Sequence, residues 1–151
     1  MQIKKQSGLS LLESLLVIAV IGVVLVLTMR YFSAVHFNQQ VSQAQAQLKT
    51  LSQASYRWLG AQQQADFGSG PEKISLSMLE QTGLIESAEE HDPWGGSVNV
   101  LPGQDTSYVR ITFHDVPTAA CESLRQHLSV VAHAQSSDDD CKEGTSYFIE
   151  M

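Results

Sequence analysis

The sequence predicts an α+β fold: a long N-terminal α-helix, membrane-spanning in its first half, packed on a small antiparallel-sheet head with one disulfide. Three observations predict it. Residues 9–32 are almost entirely apolar, an amphipathic stripe continues without a proline before Pro71, and residues 108–116 alternate between apolar and polar side chains. The formal charge of −7, with no stretch rich in Lys or Arg, argues against nucleic-acid binding.

The apolar segment is long enough to cross a bilayer. Leu9 to Phe32 is 24 residues, about 36 Å of helix, against a hydrocarbon core of roughly 30 Å. Lys4 and Lys5 precede it, so the positive-inside tendency predicts a cytoplasmic N-terminus and an extracytoplasmic head. The segment ends without the small-residue pattern of a secretory cleavage site, and we expect no cleavage there.

Glu13 is the one ionisable side chain between residues 9 and 29. A carboxylate in a membrane helix costs on the order of 2.5–3.5 kcal/mol at mid-bilayer and less near an end, so it is a functional candidate by default. The simple alternative is a one-pass anchor that tolerates the acid. A functional carboxylate needs a counter-charge.

The combination of a short basic leader, Gly8 before an apolar residue, Glu13 and an uninterrupted apolar helix resembles the class-III signal of type IV pilins. The resemblance implies that residues 1–8 are a leader peptide, that prepilin peptidase cuts between Gly8 and Leu9, and that Leu9 is N-methylated. Removing the two leader lysines changes the formal charge from −7 to −9. The new α-amino group, with an ordinary pKa of about 8, would pair with Glu13 of a neighbouring subunit.

Three features depart from the commonest pattern of that family. Leu9 stands where phenylalanine or methionine is more usual, no proline interrupts the apolar helix, and the leader has only eight residues, fewer than many type IVb members have. Gly22 is either a point where the helix can loosen, since glycine costs ~1 kcal/mol against alanine, or a site of close helix packing. Both interpretations stay open.

An amphipathic continuation of the helix is predicted over residues 33–66, so that one helix of about 80 Å runs from about Leu11 to Gln64. The stripe could form a coiled-coil dimer, but its alanine, serine and glutamine positions favour packing against the chain's own head, with Trp58 in the core. Its members recur at spacings near three and four: Phe37, Val41, Ala44, Leu48, Leu51, Ser55, Trp58, Gln62 and Ala65.

Residues 67–151 form the predicted α+β head. A capping box from Ser77 to Glu80 begins a short helix that ends at Gly83. Strands are predicted over residues 97–101, 108–116 and 146–150. A second helix is predicted over residues 118–133, where Pro117 and Thr118 supply its start.

Cys121 and Cys141 are the two cysteines of the chain. In an oxidising extracytoplasmic compartment they are expected to form a disulfide rather than a metal or redox site. Closing a loop of about 20 residues would stabilise the head by roughly 3 kcal/mol. The arrangement resembles the disulfide-bounded region of type IV pilins, and the stretch from Asp92 to Cys121 is similar to type IVb-related heads.

The other candidate chemical sites are weak. The run Asp138–Asp140 lacks the alternating ligands, glycine and later glutamate of an EF-hand, so a solvated acidic loop is favoured over a calcium site. His114 beside Asp115 is a poor acid–base pair, because adjacent strand residues point to opposite faces. We expect no enzyme activity, no catalytic residue, no metal ligand and no cofactor.

The resemblance implies a structural subunit of an extracellular type IV pilus that resides in the inner membrane before assembly. Its partners would be further copies in a helical filament, other pilins, prepilin peptidase and an inner-membrane assembly platform driven by a separate ATPase. One alternative is a pseudopilin of a type II secretion system. The other is a monomeric, membrane-anchored periplasmic binding domain that keeps its N-terminus.

Overall fold

A computed structural model describes residues 9–68, 73–86, 90–137, 140–141 and 146–151 of the chain. The fold is α+β, as predicted, and the chain divides into two compact units, Met1–Asn38 and Gln39–Met151. In chain order the elements are α1 (Leu9–Gln62), α2 (Leu76–Gln81), β1 (Val98–Pro102), β2 (Val109–Phe113), α3 (Thr118–Leu128), β3 (Ala134–Gln135) and β4 (Tyr147–Glu150).

The sheet is antiparallel throughout and has the order β1-β2-β4-β3. Val100 of β1 pairs with Ile111 of β2, which pairs in turn with Ile149 of β4. All three side chains are buried, as expected where one face of a half-buried sheet meets the core. The three predicted strands are confirmed, and β2 ends at Phe113, just before Asp115 adopts a φ of 58°.

The second part of α1 supplies the helical side of the core. Its buried stripe consists of Val41, Ala44, Leu48, Leu51, Ala54, Ser55 and Trp58. Packing of this stripe within the chain's own head is therefore confirmed, and Trp58, 1 % exposed, is a core residue. Gln62 and Ala65, at the end of the predicted stripe, are exposed.

Helix α2 starts two residues earlier than the predicted capping box. Ser75 is the N-cap, with extended backbone angles, and its hydroxyl accepts a hydrogen bond from the Met78 N–H at 3.2 Å. Ser77 lies inside the helix. The predicted end is confirmed, because Gly83 has a φ of 69° and donates its N–H to Glu80, the pattern of a Schellman cap.

Helix α3 ends at Leu128, five residues before the predicted end at residue 133. The carbonyl of Leu128 accepts the N–H groups of both Val131 and Ala132 in a closing turn. The His133 N–H then donates to the Glu150 carbonyl at 2.7 Å. Pairing with β4 therefore takes the place of further helix, and it creates β3, a strand that the sequence pattern did not predict.

Candidate functional site

The first part of α1 is apolar on every side. The large hydrophobic side chains between Leu11 and Val35 are all between 45 % and 75 % exposed. The helix is long and apolar enough to cross a membrane, and none of its most apolar stretch is buried within the chain. An apolar surface of this size needs lipid or other protein to cover it.

Glu13 lies within this apolar surface and is exposed. Leu9 is the first residue of α1 and lies one turn before Glu13, about 6 Å along the axis. No cationic side chain occurs between Leu9 and Met29, so this stretch offers the carboxylate no counter-charge of its own. Gly8, Lys4 and Lys5, the predicted cleavage and leader residues, lie outside the described residues.

The disulfide between Cys121 and Cys141 is confirmed. Cys121 lies in the first turns of α3, and both cysteines are buried, at 2 % and 0 % exposure. Their Cα atoms are 5.6 Å apart, within the usual range for a bridge. The bridge thus ties the helix to a segment 20 residues further along the chain.

Asp140 of the acidic run has a structural role beside Cys141. The Ser137 N–H and hydroxyl donate to its carboxylate at 2.7 and 2.8 Å, and the Asp140 N–H lies 3.3 Å from the Ser137 hydroxyl oxygen. This reciprocal cap lowers the pKa of Asp140, chiefly through the backbone hydrogen bond from Ser137. Asp138 and Asp139 lie outside the described residues.

The turn at residues 91–96 is organised by the side chain of Asp92, a role that sequence reasoning did not assign to this residue. Asp92 is 5 % exposed, and its Oδ1 accepts the N–H groups of Trp94 and Gly96 at 2.8 and 2.9 Å. Two glutamines of α1 hold the turn from outside, since Gln40 donates to the Pro93 carbonyl and Gln47 to the His91 carbonyl. The signal in the sequence was an aspartate followed by proline and two glycines, a combination typical of turns.

Gly96 is the residue that lets this turn approach β2. A Cβ atom at this position would lie 1.7 Å from the backbone oxygen of His114, a distance at which the backbone itself must move. The glycine is therefore required by close packing, and any side chain here would displace the turn from the sheet.

Glu150, 2 % exposed, is a buried acid on β4. Arg110 of β2 donates Nε–H to its Oε1 at 2.7 Å, and the Gln104 N–H donates to the same oxygen at 3.1 Å. The Arg110 guanidinium also lies 4.8 Å from the ring centre of Phe148. This pair satisfies a buried charge and has a structural explanation.

His114 makes its side-chain contact with Asn99, whose Nδ2 lies 3.0 Å from Nε2. Asp115 is exposed and follows the end of β2. Across the described ranges, no group of three or more His, Cys, Asp or Glu side chains is placed to hold a metal ion.

Comparison with protein-family profiles and with curated proteins gives no match to this chain. What can be said of its function therefore rests on its own residues and fold: an apolar helix carrying one carboxylate, and a small antiparallel sheet with one disulfide.

Proposed function

We propose that this chain is a structural subunit of a type IV pilus, processed by prepilin peptidase and assembled through its N-terminal helix into an extracellular filament. The observation that carries the proposal is the first part of α1, apolar on every side and interrupted by one carboxylate, Glu13. Helices of this kind are covered by lipid or by like helices. A membrane subunit enters a helical bundle when contacts with like helices replace its contacts with lipid.

The Glu13 carboxylate would fix the position at which the helix of one subunit packs against the helix of its neighbour. After cleavage between Gly8 and Leu9, the α-amino group of one subunit is the cation that Glu13 of its neighbour lacks. Desolvating both ions offsets much of their attraction, whereas leaving one of them buried alone is costly. The pair therefore selects the subunit position at which both charges are matched.

The same proposal gives the chain its location and partners. Before assembly it is a single-pass inner-membrane protein with a cytoplasmic N-terminus, because Lys4 and Lys5 precede the apolar helix. After assembly it is part of a filament of like subunits outside the cell. The assembly platform and its ATPase are separate proteins, and the proposal gives this chain no catalytic role.

A pseudopilin of a type II secretion system is the second candidate, favoured by the Asp92–Gly96 turn, which is similar to a turn common in that family. The Cys121–Cys141 disulfide favours the pilus subunit, because major pseudopilins usually lack such a bridge. A monomeric anchored binding domain would keep residues 1–8, which separates it from both.

The primary test is the N-terminus of the protein purified from its own cells. Intact-mass and N-terminal peptide analysis should find a chain that begins at methylated Leu9. A chain that retains Met1 throughout would refute pilin-type processing. Electron microscopy of the same cells then separates surface filaments, which we expect, from a short periplasmic assembly, which would favour the pseudopilin.

A second test concerns Glu13. Glu13→Ala should leave membrane insertion and leader removal intact but reduce filament yield strongly, because the neighbour's amine loses its partner. Glu13→Asp, which keeps the charge, is the matched control and should retain more assembly than Glu13→Ala. Normal filaments from Glu13→Ala would contradict the charge-pair model.

A third test concerns Gly8. The peptidase of this family requires a very small residue before the cut, so Gly8→Val should leave an uncut precursor in the membrane, whereas Gly8→Ala should be cut more readily. A mature-length product from Gly8→Val on a gel would contradict cleavage at this position.

A further inference from the structure

An apolar groove of about 500 Å³ runs along the head between the second part of α1 and the segment that follows α3. It lies wholly within the unit Gln39–Met151. Leucine, valine and methionine residues line it together with one lysine, one serine and two glutamines. The residues that matter for its chemistry are Leu48, Lys49, Gln53, Leu128, Val131 and Met151.

The groove continues onto exposed apolar surface. Val131 is 59 % exposed, and Val130 beside it is 91 % exposed, the highest value among the exposed large hydrophobic side chains of the described residues. Single exposed hydrophobic residues are ordinary. Two adjacent valines next to a concave apolar surface form a patch of the kind that marks a protein contact.

The charge of the groove differs from that of the head around it. Residues 39–151 carry six Lys plus Arg against fifteen Asp plus Glu, a formal charge of −9. None of the side chains lining the groove is acidic. Lys49 is exposed and makes no ion pair within the described part of the chain. The groove is thus an apolar surface bordered by an unneutralised cation on an otherwise acidic head.

We propose that this groove binds the acidic surface of a second copy of the chain, an inference that rests on the proposed function. In a filament each head meets other heads at high local concentration, through a head-to-tail contact that repeats from copy to copy. Two heads that each carry a formal charge of −9 repel each other, and Lys49 supplies a cation at the contact beside apolar surface that can be buried.

The contact is tested by photocrosslinking in cells that assemble the full, processed chain. A photoreactive phenylalanine at position 131 should give a ladder of adducts at multiples of the subunit mass, each containing only this chain. The same probe at Thr50, an exposed residue of α1 that does not line the groove, is the control for random collision and should give fewer adducts.

Charge reversal separates the role of Lys49 from a general effect of charge. Lys49→Glu should lower the crosslink yield from position 131 about two- to fivefold at low salt, the range of an exposed ion pair, and the loss should shrink as salt rises. Lys73→Glu makes the same charge change at another exposed position of the head and should leave the yield unchanged.

The outcomes distinguish this inference from the proposed function. Filaments that form without adducts from position 131, or with adducts only to a different protein, overturn the groove assignment and leave the filament proposal intact. An equal loss of yield in Lys49→Glu and Lys73→Glu overturns the charge argument. A chain that keeps residues 1–8 and forms no filament overturns the proposed function itself.

Discussion

The two parts of helix α1 differ in the exposure of their apolar side chains. Between Leu11 and Val35, every large hydrophobic residue is exposed. Between Val41 and Trp58, the large aliphatic side chains and Trp58 itself lie on one stripe that is buried in the head, whereas Tyr56 lies outside it. The two parts of one continuous helix thus have different surroundings, and the pattern of apolar side chains in each part determines whether those side chains are exposed or buried.

The difference teaches that helix formation and burial are separate properties here. Both parts satisfy their backbone hydrogen bonds within the helix. The first part has no amphipathic period, so its whole surface is left for lipid or like helices. The second part shows spacings of three and four, which place one face toward a core. Mutations in the two parts should therefore affect different measurements.

The largest expected effect contrasts two leucines of α1. Leu51 is 0 % exposed and Leu16 is 60 % exposed. Leu51→Ala should lower the free energy of unfolding of the head by about 2–5 kcal/mol, because it leaves a cavity, whereas Leu16→Ala should leave it nearly unchanged. Denaturant unfolding of the full chain in detergent, followed by the fluorescence of Trp58 and Trp94, both in the head, measures both. An equal loss of unfolding free energy in Leu51→Ala and Leu16→Ala would contradict the conclusion that only the second part of the helix packs in the head.

The disulfide should matter only to the head. Replacing both Cys121 and Cys141 by alanine should lower the free energy of unfolding by about 3 kcal/mol, because the unfolded chain regains the freedom of the closed loop. Membrane insertion of the apolar segment should stay the same, which fractionation of membranes measures. Loss of insertion along with stability would show that the two regions are coupled.

A smaller effect is expected from the glycines of α1. A Cβ would meet no atom within 4 Å at either Gly22 or Gly60, so alanine should fit both. Gly60→Ala should stabilise the head by up to ~1 kcal/mol through helix propensity. Gly22→Ala should leave head stability unchanged, and filament yield then decides its role: a loss favours close helix packing at Gly22, and normal yield refutes it.

The smallest effect concerns the cap at Asp140. Because hydrogen bonds from Ser137 lower its pKa in the folded head, its contribution is complete above the ordinary carboxyl pKa of about 3.9. That contribution disappears as the pH falls through the lowered folded-state pKa. Asp140→Asn should thus be slightly less stable than the parent at neutral pH and equal to it in acid, in pH-dependent unfolding. Glu122→Gln, at an exposed position of α3, is the charge control.

The features that could be predicted from the sequence depend on local pattern. The buried stripe through Leu48 and Trp58, the alternation of β2 and the Gly83 helix end each follow from periodicity or from one residue's backbone preference. The first turn of α2 was placed wrongly, because Ser75 and Ser77 are both suitable caps and only the extended backbone at Ser75 decides between them.

The features that were missed depend on partners far away in the chain. The Arg110–Glu150 pair joins residues 40 positions apart, and the early end of α3 depends on pairing with β4. The hydrogen bonds of Gln40 and Gln47 to the Asp92 turn likewise join α1 to a distant loop. None of these contacts has a local sequence period, so they emerge only when the sheet and the helix are placed together.

The position of β4 in the sheet has a consequence for the order in which the protein is made. Tyr147–Glu150 lies between β2 and β3, so the sheet stays open until the final residues of this sequence have left the ribosome. Helix α1 precedes the sheet in the chain, so it emerges while Val109 and Ile111 of β2 still lack one of their neighbouring strands. The sheet is thus completed only after all the other elements have been synthesised, and until then the edge of β2 that faces β4 has no strand to pair with.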